Sequence, residues 1–196
     1  MSLSLLSPAA DGTRLVPVEP RHAPLFCFAL LTVSCALASF ALACATPFAA
    51  FAVIAAAMLP LRPALLVVGG AWLVNQGIGF GALHYPVNTN TMLWGLAIGV
   101  AALAATAVAA VIPRLMPQGR TPLAFALVLA LALACAYGAY ELALFAATPF
   151  LGGTGSFTTA IIGRIGLLNV AWLIGLVATC EIVRLINPFR RGRAIS

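Results

Sequence analysis

Charge is what this chain has least of. Only 7% of its 196 residues are Asp, Glu, Lys or Arg, against about 25% in a soluble globular domain. Such a composition cannot cover a water-facing surface. Lysine is absent, and all ten basic residues are Arg. The one Asp, Asp11, lies outside every apolar stretch, which excludes an intramembrane aspartyl protease. The two histidines, His22 and His84, fall on opposite sides of the expected bundle. They cannot ligate one haem together, and no His/Cys set has zinc spacing. No P-loop is present, and no mid-span Ser has a nearby His to activate it. The chain is therefore read as a non-enzyme with no catalytic residues, metal or cofactor. A secretory signal is also missing, because the first twenty residues lack a basic start followed by an apolar stretch. The first span is expected to stay in the mature protein.

What is present is apolar: 63% of the chain is hydrophobic. Stretches of about 18 or more apolar residues read as membrane spans. The spans are expected at approximately 24–44, 47–61, 63–83, 92–113, 122–148 and 157–186. Pro24, Pro47, Pro63, Pro113, Pro122 and Pro188 mark many of the edges, where proline is tolerated best. The second span is short, at about 21 Å by helical rise. It either crosses a locally thin bilayer or re-enters on the side it came from.

The Arg positions set the topology. Arg14 and Arg21 precede span one, Arg62 separates spans two and three, Arg114 and Arg120 separate spans four and five, and Arg190, Arg191 and Arg193 follow span six. The other three loops carry no Arg. Alternate loops are thus basic, as six spans with both termini cytoplasmic require. The expected fold is an all-α integral membrane protein: a single polytopic domain over 1–196, a bundle of six transmembrane helices in the cell's inner (plasma) membrane. The net charge of +6 forms no nucleic-acid stripe. The tail after Asn187 suits anionic lipid headgroups. Cys27, Cys35, Cys44, Cys135 and Cys180 lie in or beside spans without paired spacing, and read as buried reduced thiols.

Charges inside spans are costly in hydrocarbon and therefore informative. Glu141 and Arg164 each lie about seven residues from the outer ends of spans five and six, about 10 Å below the surface. The two spans are consecutive and antiparallel, so an ion pair is expected. Asn75 and Gln76 on span three reach nearly the same depth. Asn169 lies about one turn deeper on span six, and Tyr137 and Tyr140 sit on span five. One reading is a buried polar clasp between helices, at about 0.6 kcal/mol per contact. The other is a ligand site. There Arg164 would hold an anionic group, Asn75, Gln76 and Asn169 would hydrogen-bond the ligand beside Tyr140, and Glu141 would orient Arg164 or meet a ligand donor. His84, Tyr85 and Asn88 in one outer loop, with Gly152–Ser156 in the other, would form a lid. Ser156 or Thr158 would cap the last span.

Small residues mark packing faces. Gly77 and Gly81 make one GxxxG, Gly95 and Gly99 another, and Cys35, Ser39 and Ala43 form a ridge on span one. Glu181 and Arg184 are three apart and can pair near the inner end of span six.

The stretch from Ala36 to Phe80 combines an Ala-rich first span, a tiny turn, Ala-rich Phe48–Met58, and the short turn Leu59-Pro60-Leu61-Arg62-Pro63 running into a Gly-containing third span. With the six-span plan, this resembles the substrate-binding S-components of energy-coupling-factor vitamin transporters. The resemblance implies an outward-facing pocket capped by loops. It also implies a partner transmembrane subunit met by the small residues of span one, here Cys35, Ser39 and Ala43. That family's Ala motif is not cleanly reproduced, and its binding residues are not shared between members, so none is carried over. The expected function is capture of a small polar or anionic molecule for uptake, with energy from a partner ATPase. The alternative is a membrane scaffold or assembly factor whose polar cluster is structural.

Overall fold

Helices are built where Leu and Ala dominate and end where caps and prolines stand. The computed structural model describes residues 15, 17–42, 45–115 and 121–186. Readings that fall on Arg14, Ala43, Cys44, Arg120 and the tail from Asn187 lie outside the described residues. The elements are α1 (Ala23–Leu42), α2 (Phe48–Met58), α3 (Leu61–Gly77) with a π-helical turn at Ile78–Ala82, α4 (Thr89–Leu115), α5 (Pro122–Leu151), a 3₁₀ turn at Thr154–Ser156, and α6 (Thr159–Ile186). Thr121 caps α5 by accepting from Ala124 N at 3.2 Å, and Pro122 follows at the first helical position. Thr158 Oγ1 accepts from Ile161 N at 3.4 Å at the start of α6. No strand occurs among the described residues.

Among the described residues, five helices are long and apolar enough to cross a membrane: α1, α3 with its π turn, α4, α5 and α6. Their outward faces carry Leu37, Phe40, Leu66, Leu127 and Leu167, all exposed. A soluble protein would bury such side chains, whereas a lipid-facing surface requires them. The chain is a multi-pass membrane protein.

The remaining helix, at the short span expected over 47–61, is shorter still. α2 has 11 residues, about 16 Å of rise against a hydrocarbon core of about 30 Å. Every residue in it except Ala56 is buried, and Ala50, Phe51, Ile54 and Ala55 are fully so. It is surrounded by α1, α3, α4, α5 and α6. A helix that touches no lipid need not match the bilayer's thickness.

Contact registers give the helix directions. The Cys35 thiol donates to Ala71 O, and Asn75 Nδ2 donates to Ser39 Oγ; both pairs are 36 residues apart, so α1 and α3 run parallel. Asn169 meets Ala50 and Cys180 meets Met58, so α2 and α6 also run parallel. α3 and α4 run antiparallel, with Gln76 over Gly95 and Trp72 over Gly99. Successive helices therefore alternate in direction. The end carrying the α1–α2, α3–α4 and α5–α6 connections is termed the upper end.

Interhelical packing in lipid depends on close approach rather than on hydrophobic transfer. Gly99 is one such contact: a Cβ there would lie 2.6 Å from the Trp72 ring, whose Nε1 donates to Gly95 O at 2.9 Å. The α4 GxxxG thus packs internally. Gly77 and Gly81 do not, since a Cβ at either meets nothing within 4 Å. Cys35 and Ser39, the two described residues of the span-one ridge, are buried against α3. Cys27, Cys35 and Cys180 are buried free thiols, and Cys135 is partly buried and free. At the lower end Arg184 pairs with Glu181, and Arg21 Nε lies 2.8 Å from Glu19. These pairs are exposed and add little stability.

Candidate functional site

The late start of α2 creates the site. Its upper end lies inside the bundle, and its cap residue Pro47 has no side-chain acceptor for the first turn. Asn169 on α6 supplies one: its Oδ1 accepts from Ala50 N at 3.0 Å, and its Nδ2 donates to Ile165 O at 3.0 Å. On the other side, Asn75 Nδ2 donates to Ser39 Oγ at 2.8 Å and to Thr46 Oγ1 at 3.0 Å. Gln76 Nε2 donates to Asn75 Oδ1 at 3.2 Å, and Gln76 Oε1 rests over Gly95. Asn75, Gln76 and Asn169 thus form a belt around the start of α2. Their polar groups bond within the bundle, and none lines the cavity above.

That cavity has a volume of about 320 Å³. Ala45 and Thr46, just before α2, form its floor. α4 contributes Trp94 and Ile98, and α5 contributes Tyr140, Glu141 and Leu144. Phe157, Ile161 and Ile165 line the α6 side, while Gly153 and Ser156 close the top. Glu141 is the one charged side chain in this lining, and it is half-buried. Tyr140 is buried, its ring 6.4 Å from that of Phe48.

Tyr137, Glu141 and Phe145 are spaced four apart and share one stripe of α5. Tyr137 donates to Ile162 O at 2.7 Å. A Cβ on Gly166 would lie 3.2 Å from the Tyr137 ring. Phe145 stacks edge-on against Phe157 with ring centroids 5.4 Å apart. Glu141 stands between these contacts, with the Tyr137 hydroxyl as its polar neighbour one turn below. Elsewhere α5 and α6 barely touch.

Arg164 departs from expectation. It is exposed, lines no part of the cavity and makes no ion pair with Glu141. The reason is rotation. α6 presents Asn169, Leu173, Leu176 and Cys180 to the core, and Arg164 lies five residues before Asn169, about 140° around the helix at 3.6 residues per turn.

The lid is also rearranged. His84 is exposed in a left-handed conformation at φ 53°. Tyr85 lies over Gly79 and edge-on to Phe80, and Asn88 Oδ1 caps α4 by accepting from Thr91 N at 2.9 Å. None of the three reaches the cavity lining. The α5–α6 connection roofs it instead, turning through Gly152 at φ 78° and Gly153 at φ 86°, values that favour glycine. A Cβ on Gly153 would lie 3.4 Å from Trp94.

Of the residues expected at the site, Tyr140 and Glu141 line this cavity, as do Gly153 and Ser156 of the expected lid, whereas Ala45, Thr46, Trp94, Ile98, Leu144, Phe157, Ile161 and Ile165 were not anticipated. Trp94 had one available signal, an aromatic near the start of a span, but that pattern also marks a membrane-interface belt. The apolar residues had none. The chain matches no family model, no curated protein and no solved structure.

Proposed function

We propose that this chain is the membrane-embedded capture subunit of a small-molecule uptake system, with its site in the cavity above α2. The observation that carries the reading is a single carboxylate, Glu141, set in the wall of a cavity whose other described lining residues are uncharged and mostly aromatic or aliphatic. A charge at membrane depth is costly, and its usual justification is a ligand, ion or proton path. The volume of about 320 Å³ lies at the lower end of the range for ligand pockets.

The chemistry differs from the anionic ligand expected of Arg164. With Arg164 outside the cavity, Glu141 selects a hydrogen-bond donor or a cation. Trp94 and Phe157 offer aromatic faces to the same positive group. The alternation of Arg-bearing loops supports an upper end facing outward and both termini in the cytoplasm, and the proposal places the protein in the plasma membrane. Energy comes from a partner membrane subunit and its ATPase, because the chain has no nucleotide-binding motif.

A second reading, the scaffold, is favoured by the amide belt, whose polar groups bond inside the bundle. Mass spectrometry of small molecules retained by the mildly solubilised protein separates the two. A basic metabolite retained by wild type and lost in Glu141→Gln is the expected result. A wild-type protein that retains nothing, and a Glu141→Gln variant of unchanged stability, would leave the scaffold standing.

A further inference from the structure

The capture cavity has one wall that is incomplete. Two contacts between α5 and α6 bracket it: Phe145 on Phe157 above, and Tyr137 on Ile162 and Gly166 below. Between those levels Glu141 faces the turn containing Ile161, and both residues line the cavity. Ile161 keeps 40% of its surface exposed, and Phe145, at the upper rim, keeps 52%. The neighbouring Leu142 is 67% exposed and carries the lipid-facing surface up to the same edge. The gap is therefore flanked by hydrocarbon-compatible side chains, with a carboxylate set just inside it. Gly153 and Ser156 line the cavity on the side of the α5–α6 connection, where a Cβ on Gly153 would lie 3.4 Å from Trp94.

Resting on the capture reading, we infer that the ligand is a cationic amphiphile that enters sideways from the surrounding leaflet through the α5–α6 gap. Its ammonium group meets Glu141 while its apolar portion lies along Leu144, Ile161 and Ile165. Two features support this over entry from water. Apart from Glu141, Tyr140, Thr46 and Ser156 the lining is apolar, so a small fully hydrated cation would exchange its water shell for few polar partners and leave the apolar wall unused. A molecule already in the leaflet leaves hydrocarbon for hydrocarbon, and only its headgroup changes partners. The gap also places Glu141 at the depth where such a headgroup, held below the interface, gains most from a fixed opposite charge.

The test uses the full-length protein in lipid nanodiscs and two amines with the same ammonium group, dodecylamine and ethylamine. Native mass spectrometry reads retention. The inference expects dodecylamine to be retained at least tenfold better by wild type than by Glu141→Gln, and ethylamine not to be retained. Glu141→Asp, which keeps the charge, should restore part of the retention and guards against a folding defect in the amide variant. A nitroxide on Ile161→Cys reports the route by collision with dissolved oxygen or with a water-soluble nickel chelate. Strong oxygen and weak nickel relaxation is the expected pattern. Equal retention of both amines, or nickel relaxation exceeding that by oxygen, would overturn sideways entry and leave a capture site that fills from water. Retention of neither amine would remove the capture reading itself, and this inference with it.

Discussion

Replacing Asn169 by Leu tests whether α2 depends on a cap borrowed from another helix. The substitution keeps the number and branching of the side-chain heavy atoms, so no cavity opens. Two hydrogen bonds are lost, but their costs differ. Ile165 O keeps its own helical partner, the backbone N–H four residues on. Ala50 N–H, which Asn169 Oδ1 receives at 3.0 Å, loses its acceptor at a site where Asn169 is only 2% exposed. A buried donor left unsatisfied costs about 1–3 kcal/mol. Polar contacts between membrane helices average about 0.6 kcal/mol, because the unfolded state also finds partners. A backbone N–H at a dry helix start finds fewer, so the expected loss is about 2 kcal/mol, a shift of up to about 30-fold in the folding equilibrium. Reversible unfolding in mixed micelles measures it. Thr179→Val on the same helix is the control, because Thr179 Oγ1 donates to Gly175 O on an exposed face and its removal strands nothing. Indistinguishable midpoints for Asn169→Leu and Thr179→Val would refute the argument.

Further outcomes follow from the same geometry and the same assay. Gly99→Ala should destabilise by about 1–3 kcal/mol, since the Trp72 ring it would strike is held by its bond to Gly95 O. Gly77→Ala, with nothing near its Cβ, should be neutral or stabilise by up to about 1 kcal/mol through helix propensity. Asn88→Ala should cost about 1 kcal/mol as a lost cap, without altering ligand retention. Arg164→Ala should change stability by less than about 0.5 kcal/mol, as an exposed substitution away from any network, and should leave ligand retention intact; loss of retention would restore Arg164 to the site.

Depth in the bundle was legible from sequence, but rotation about each helix was not. Counting residues from span ends brought Asn75, Gln76, Glu141 and Asn169 to neighbouring levels, and they do surround the top of α2. Whether a side chain turns inward depends on the buried stripe of its helix. In lipid, both faces of a helix are apolar, so hydropathy carries no mark of the inside. Arg164 and Glu141 were paired on depth alone, and the 140° offset of Arg164 from the core stripe parts them. The same blindness hid α2. Phe48–Met58 is apolar in a way that suits hydrocarbon and protein interior equally, and its length was the one clue to its setting. Asn88 was read as a lid residue because loop position was visible, whereas its bond to Thr91 N depends on where α4 begins.

The enclosure of α2 constrains the order in which the protein can be made. α2 is followed in the chain by four helices, and three of them, α4, α5 and α6, supply most of the surface it is buried against. Its Ala50 N–H waits for Asn169, 119 residues later. At 11 residues it is too short to hold a transmembrane position alone. Until the ribosome has delivered α6, α2 has neither its walls nor its cap, so the centre of the bundle is the last part to settle. A chain truncated before α6 should therefore leave the Phe48–Met58 segment open to proteases while α1 and α3 are already inserted.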